Sequence, residues 1–128
     1  MTRPIKYRVR ELASHEVIGY EALIDGQWRY RIEGSHWMIG VFTLPGLIRE
    51  QYTGLVDSTK RMIYESDVVE HTLYSPSEVF FRDGSFCTDL DRRIYLELSQ
   101  NSFGMESYTV IGDIHQNPEL LNPTHGTL

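Results

Sequence analysis

Apolar and polar residues alternate along much of the chain. Residues 5–10 alternate Ile, Tyr and Val with Lys and Arg, which predicts a half-buried strand with one charged face. Strand-like residues 16–24 and 27–32 flank Asp25-Gly26, a dipeptide that tolerates the positive φ of a tight turn, so a β-hairpin is predicted there. Further strand-like segments are separated by Gly, Pro or Asp-Gly turn signals: residues 35–43, 47–55, 62–74, 78–82, 85–88, 94–98 and 107–115.

This pattern predicts a mostly β fold with little helix. Many short strands at this spacing are typical of a barrel or a sandwich and not of a parallel α/β sheet. One helical turn is expected after residue 116, where Asn117 has the chemistry of an N-cap and Pro118 suits the first helical position. The length of 128 residues is that of a single domain.

Charge argues against a nucleic-acid partner. The net charge is −6, and affinity for phosphate backbones comes from Lys and Arg. The charge is uneven, however: residues 1–50 hold 7 basic and 6 acidic side chains, whereas residues 51–128 hold 5 basic and 12 acidic ones. A local basic face is therefore compatible with the first part of the chain.

Cysteine content and hydropathy indicate a cytoplasmic protein. Cys87 is the only cysteine, which excludes an intramolecular disulfide and suits a reducing compartment. No apolar run approaches the roughly 20 residues of a membrane helix, so no membrane partner is predicted. Because residues 1–4 lead directly into a predicted strand, we expect no signal peptide.

Two segments resemble a known family. The first combines Gln51-Tyr52-Thr53-Gly54-Leu55 with Ile63-Tyr64-Glu65-Ser66-Asp67-Val68-Val69, and the second is Val110-Ile111-Gly112-Asp113-Ile114-His115-Gln116-Asn117-Pro118-Glu119-Leu120-Leu121. Together they resemble the signature of YopX proteins, a family of phage and prophage origin with no established activity. The resemblance implies one YopX-like domain over residues 1–122, with a tail at 123–128. Within it, an N-terminal β portion would cover residues 1–55 and a small SH3-like barrel residues 56–122.

The motif residues are interpreted as determinants of the fold. Asp67 stands at a strand entry, where a carboxylate accepts backbone N–H bonds in a turn. Gly54 and Gly112 are expected to allow turns, bulges or close backbone approach. Ser66 stands where family members usually carry glycine, which weakens the expectation of a positive φ at that position.

No catalytic or metal-binding constellation is found, so the chain is predicted not to be an enzyme and to need no cofactor. The five histidines lack paired metal-ligand spacing. Asp113 and His115 would share one strand face, which is interpreted as an exposed polar face and not as a metal site. Cys87 has no cationic neighbour in sequence to stabilise a thiolate, and is expected to be a small core hydrophobe.

One set of cations supports an alternative function in nucleic-acid binding. Arg3, Lys6, Arg8, Arg10, Arg29 and Arg31 would form a stripe edged by Trp28, Trp37 or Tyr30 if their two strands were neighbours. Charged strand faces that discourage aggregation explain the same residues without a ligand.

The leading prediction is a protein-binding module. Trp37-Met38-Ile39 and Val79-Phe80-Phe81 place apolar side chains on both faces of a strand, so either a second sheet or another subunit must cover them. We therefore expect a non-enzymatic phage or prophage accessory protein of the bacterial cytoplasm. Its partner would be an unidentified protein or a second copy of the chain.

Overall fold

The computed structural model describes residues 4–71, 74–82, 84–90, 94–97 and 108–121. These form eleven strands: β1 Lys6–Glu11, β2 Val17–Ile24, β3 Gln27–Ile32, β4 Met38–Ile39, β5 Leu47–Val56, β6 Met62–Tyr64, β7 Asp67–His71, β8 Tyr74–Arg82, β9 Ser85–Leu90, β10 Ile94–Glu97 and β11 Thr109–Asp113. A 3₁₀ helix, Pro118–Leu121, follows β11. The predicted mostly β fold is confirmed, whereas Arg3 and the tail at 123–128 lie outside the described residues.

The strands form two antiparallel sheets. One has the order β4-β3-β2-β1-β5-β6 and the other β10-β9-β8-β7-β11. The chain divides into an N-terminal unit, Met1–Tyr52, and a C-terminal unit, Thr53–Leu128. The boundary falls inside β5, whose first residues pair with β1.

The predicted hairpins are present. Asp25 and Gly26 have φ values of 52° and 75°, and Ile24 faces Gln27 across the β2–β3 turn. Gly84 has a φ of 84° between β8 and β9, where Arg82 faces Ser85, while Asp83 lies outside the described residues. Both turns therefore use the left-handed conformation that the Asp-Gly signal predicts.

The connection from β4 to β5 crosses one face of the N-terminal sheet, because β3, β2 and β1 lie between these two strands. Phe42 of this connection packs edge-on against Tyr30, with ring centroids 5.0 Å apart. A Cβ atom at Gly19 would lie 2.1 Å from the Arg31 carbonyl oxygen and 2.8 Å from the Phe42 ring. Glycine at position 19 therefore permits both the β2–β3 pairing and the crossing chain.

Among its described residues, the C-terminal unit has an apolar core to which β5 to β9 and β11 contribute. Its buried members are Leu55, Ile63, Val69, Val79, Phe86, Tyr108 and Val110. Cys87 is buried beside this core, and its thiol lies 3.8 Å from the carbonyl oxygen of Ser85. The prediction that Cys87 is a small core residue is confirmed.

A buried carboxylate closes the loop between β5 and β6. Asp57 Oδ1 accepts the backbone N–H groups of Thr59 and Arg61 at 2.8 and 2.9 Å and the Thr59 hydroxyl at 2.7 Å. Its Oδ2 accepts the N–H of Val110, at the start of β11, at 2.9 Å. Burial alone would raise the pKa of Asp57, but these donors outweigh it and the pKa is lowered.

Asp57→Asn should destabilise the protein by about 2–3 kcal/mol, because a neutral amide replaces the carboxylate and the charge-assisted hydrogen bonds are lost. The folded pKa of Asp57 lies below its ordinary value of 3.8. Its contribution is therefore present above that pH and is lost as the pH falls through the folded pKa. Urea unfolding at neutral and acidic pH checks this, with the exposed hairpin variant Asp25→Asn as the matched control. Equal stability of the two variants at neutral pH would contradict the proposed role of Asp57.

Candidate cation and aromatic binding site

The predicted cations that the structure describes do not form one stripe. β2 lies between β1 and β3, so the two strands that carry these cations are not neighbours. Lys6, Arg8 and Arg10 lie on β1 and Arg29 and Arg31 on β3.

Arg8 and Arg10 are buried, and the prediction that they lie on an exposed charged face is wrong. Glu50 of β5 is directly opposite Arg8, and its Oε1 accepts Arg8 Nε at 2.7 Å. The same oxygen accepts Arg10 Nε at 3.2 Å and Nη2 at 3.0 Å. The side chains of Arg8, Arg10 and Glu50 are 8%, 0% and 2% exposed. One carboxylate thus stabilises both guanidinium groups in the interior.

A second buried carboxylate stabilises the opposite face. Glu21 of β2 accepts Arg49 Nε at 2.7 Å and Arg49 Nη2 at 3.0 Å, and it also accepts the backbone N–H of Phe42 at 2.9 Å. Hydrogen bonding to Glu21 raises the pKa of Arg49. This pair holds the crossing connection on the sheet.

Sequence reasoning did not identify Glu21 or Glu50 as partners. The available signal was an acidic residue inside each predicted strand; Glu50 directly faces Arg8, whereas Glu21 faces Tyr7 and Tyr30 and reaches Arg49 from two strands away. Strand order was needed to use it, since Glu50 and Arg8 are 42 residues apart.

Two cations and two rings come together on the β1–β2–β3 face. Lys6 Nζ lies 5.1 Å from the centroid of the Tyr20 ring and 5.9 Å from that of Trp37. The guanidinium carbon of Arg31 lies 4.9 Å from the Tyr20 centroid and 5.4 Å from the Trp37 centroid. These distances are those of cation–π contacts. Both cations therefore share the same two rings.

The registers explain this convergence. Tyr20 faces both Arg8 and Arg31, whereas Ala22 in the adjacent row faces both Lys6 and Arg29. The small Ala22 side chain leaves room between the long side chains of Lys6 and Arg29. On β4, Ile39 is the next cross-strand partner after Arg29. We call Lys6, Tyr20, Arg29, Arg31 and Trp37 the cation–aromatic site.

The electrostatics of the site are those of crowded positive charge. The pKa of Lys6 is lowered, first by burial and then by repulsion from Arg31. Glu33 carries the nearby negative charge, and its carboxylate accepts the Tyr20 hydroxyl at 3.3 Å. The buried Nε atoms of Arg29 and Arg31 have no hydrogen-bond partner within the described part of the chain. An anionic ligand would therefore stabilise this arrangement.

Trp28 and Tyr30, the other predicted edge aromatics, lie away from this site. Trp28 stacks on Tyr7 with centroids 6.1 Å apart, and Tyr30 contacts Phe42. Tyr7, Trp28 and Val41 line a cleft of about 410 Å³ together with the bonded Glu21–Arg49 pair.

Asp113 and His115 form a turn and not a shared strand face, which corrects the sequence interpretation. Asp113 ends β11, and its Oδ1 accepts the backbone N–H groups of His115 and Gln116, both at 3.0 Å. In the segments that the structure describes, no three His, Cys, Asp or Glu residues are grouped to hold a metal ion. No helix in those segments has the length and apolarity needed to cross a membrane.

Comparison with known proteins identifies the family. A family model described as YopX protein matches residues 6–122. The chain belongs to the YopX family. The crystal structure of protein EF1440 from Enterococcus faecalis is similar in fold, with a TM-score of 0.51 and 21% sequence identity over 94% of this chain and 99% of that one. No curated protein matches the chain.

The first YopX motif segment has structural contacts. Asp67 is fully buried, and its Oδ2 accepts the backbone N–H of Tyr64 at 2.8 Å, as the strand-entry interpretation predicts. Ser66 has a φ of 75°, so the glycine-like conformation is retained without glycine. The Ser66 backbone donates to Val79 at 2.8 Å and accepts from Ile114 at 3.0 Å. These two bonds hold the strained residue in place.

Neighbouring motif residues are also buried or hydrogen-bonded within the fold. Tyr52 and Leu55 are buried, and the Thr53 hydroxyl donates to the Ile63 carbonyl oxygen at 2.8 Å. Gly54 has a φ of 89°, which accounts for the glycine. Gln51 and Glu65 are half-buried.

The second YopX motif segment depends on a small residue at position 112. A Cβ atom there would lie 2.6 Å from Asn117 Oδ1 and 2.8 Å from a methyl group of Leu120. Asn117 Oδ1 accepts the N–H of Asp113 at 3.3 Å, so its side chain bonds back toward β11. The expected helical turn is present as the 3₁₀ helix, on which Pro118 and Glu119 are exposed.

Glu50→Gln should destabilise the protein by about 3–5 kcal/mol, because two buried guanidinium groups lose the charge that compensates them. Urea unfolding of the variant checks this, with the exposed Glu16→Gln as the matched control. A loss under about 1 kcal/mol would mean that Arg8 and Arg10 are not held by Glu50 as the structure indicates.

Proposed function

We propose that this YopX protein is a non-enzymatic accessory module of phage or prophage origin. It acts in the bacterial cytoplasm by binding a host or phage protein, or a second copy of itself. The C-terminal unit, in this proposal, is a variant of the small SH3-like barrel, a scaffold that acts through its surface. A non-enzymatic role is supported by the sequence, in which the histidines lack paired metal-ligand spacing and Cys87 has no cationic neighbour to stabilise a thiolate.

The observation that carries the proposal is a set of exposed apolar side chains on β4 and on the β4–β5 connection of the N-terminal unit. Ile39 of the edge strand β4 is 67% exposed, and Val41 and Leu44 of the following connection are 41% and 63% exposed. Ile39 belongs to the Trp37-Met38-Ile39 segment that the sequence predicts to need a cover, and Val41 and Leu44 lie two and five residues after it. Exposed large apolar side chains can form a protein-binding surface when a partner covers them.

Nucleic-acid binding is the alternative, and the cation–aromatic site is the observation that favours it. Cations beside Trp and Tyr rings suit a single strand through charge and stacking. Nucleic-acid binding ranks below protein binding because Arg8 and Arg10 are buried and paired with Glu50, which removes two of the six predicted phosphate contacts. The net charge of −6 also repels a polyanion.

An affinity capture from bacterial lysate tests the proposed function. The tagged full chain is incubated with nuclease-treated and untreated lysate, and bound proteins and nucleic acid are quantified. We expect a specific protein that resists nuclease, or self-association seen by sedimentation. The double variant Ile39→Thr, Leu44→Gln should reduce that binding about tenfold or more, since it removes apolar contact area.

Val56→Thr is the matched control, because Val56 is exposed but lies in the C-terminal unit. Partners that disappear together with nucleic acid after nuclease treatment would instead favour the alternative. Unchanged binding by the double variant would show that Ile39 and Leu44 are not part of the protein-binding surface.

A further inference from the structure

The cation–aromatic site has more positive charge than its described surroundings neutralise. Glu21 and Glu50, the fully buried carboxylates of the same sheet, are bonded to Arg49 and to Arg8 and Arg10. Within the described residues, no carboxylate lies within ion-pair distance of Arg29 or Arg31. Each of these two arginines also has a buried Nε with no hydrogen-bond partner there. Both arginines are half-buried, and a carboxylate that binds their guanidinium groups forms strong charge-assisted hydrogen bonds.

The geometry of the site sets the size of the ligand. Arg29 and Arg31 are two residues apart on one strand, which places their Cα atoms about 7 Å apart along β3. Lys6 lies two strands away, about 10 Å across the sheet. This footprint matches two or three anionic groups on one short extended segment and does not extend into a longer groove of cations.

Apolar neighbours favour a protein segment over a nucleic acid. The Lys6–Ala22–Arg29 row ends at the exposed Ile39, which offers a contact to an apolar side chain and nothing to a phosphate. The half-buried Trp37 ring lies beside the same cations. Guanidinium groups bind carboxylates in bidentate geometry. The net charge of −6 repels a long polyanion but penalises a short acidic segment less.

We propose that Lys6, Arg29 and Arg31, together with Trp37 and Ile39, form a docking site for a short acidic segment of a partner protein. The segment presents carboxylates that alternate with apolar residues. Its carboxylates bind the two guanidinium groups, and its apolar side chains cover Trp37 and Ile39. This inference rests on the proposed protein-binding function and specifies the chemistry of the partner.

Fluorescence anisotropy with defined probes tests the proposal on the full chain. The probes are a labelled ten-residue peptide of alternating Glu and Leu, the same peptide with Gln for Glu, and a twelve-nucleotide oligothymidylate. We expect the Glu peptide to bind at least about tenfold tighter than the Gln peptide, with an affinity that falls as salt rises. The double variant Arg29→Gln, Arg31→Gln should lose about tenfold or more in that affinity.

Two further variants keep the test decisive. Arg31→Lys retains the charge but not the bidentate geometry, so it should lose less affinity than the double variant, whereas Arg61→Gln removes one exposed cation from the C-terminal unit and should change little. Thermal unfolding confirms that each variant folds. Equal binding of the Glu and Gln peptides, or no binding below about 1 mM, would overturn the proposal.

Tighter binding of the oligothymidylate than of the Glu peptide would also overturn it and assign the site to nucleic acid. Self-association that the arginine variant abolishes while neither peptide binds would assign the site to a second copy. If lysate capture finds a nuclease-resistant protein that the arginine variant still binds, the proposed function stands and the acidic-segment inference falls.

Discussion

The N-terminal sheet depends on one carboxylate. Glu50 places a negative charge opposite β1, and this allows the strand to carry Arg8 and Arg10 into a region with almost no solvent access. Desolvating two guanidinium groups without that charge would cost several kcal/mol for each. The same contact fixes the pairing of β1 with β5, because only the register that places Glu50 opposite Arg8 brings both arginines to Oε1. Burial and charge pairing thus specify the strand order together.

Much of the fold could be predicted because alternation and turn chemistry are local. The hairpin at Asp25-Gly26 needed only two residues that tolerate positive φ between two strand-like segments, and it formed there. The burial of Arg8 and Arg10 could not be predicted in this way, because alternation assigns charged residues to the solvent face. Their partner Glu50 is distant in sequence and becomes a neighbour only when β5 pairs with β1. Ser66 was misleading for a related reason, since distant backbone bonds hold a conformation that its own side chain disfavours.

The sequence predicted some cations and one ring of the candidate site, but it also assigned to that site arginines that are buried. Lys6 and Arg31 were identified with an edge aromatic, and the structure brings them together around Trp37 and Tyr20. Tyr20 was not identified, because its position facing Arg31 depends on the register of β2 with β3. Two of the remaining arginines belong to the interior. What remains is a small positive area on a chain of negative net charge, which indicates a short and specific contact rather than a long groove.

The position of the boundary between the two units has a consequence for how this family can change in evolution. Strand β5 runs without interruption from Leu47 to Val56, and the units divide between Tyr52 and Thr53 in the middle of it. Recombination at a domain boundary usually exploits an exposed linker, where few backbone bonds are broken. Here a recombination event at the boundary would divide strand β5, so neither unit could be exchanged without disrupting that strand. An exchange at this boundary is therefore expected to break the pairing that β5 makes in this chain.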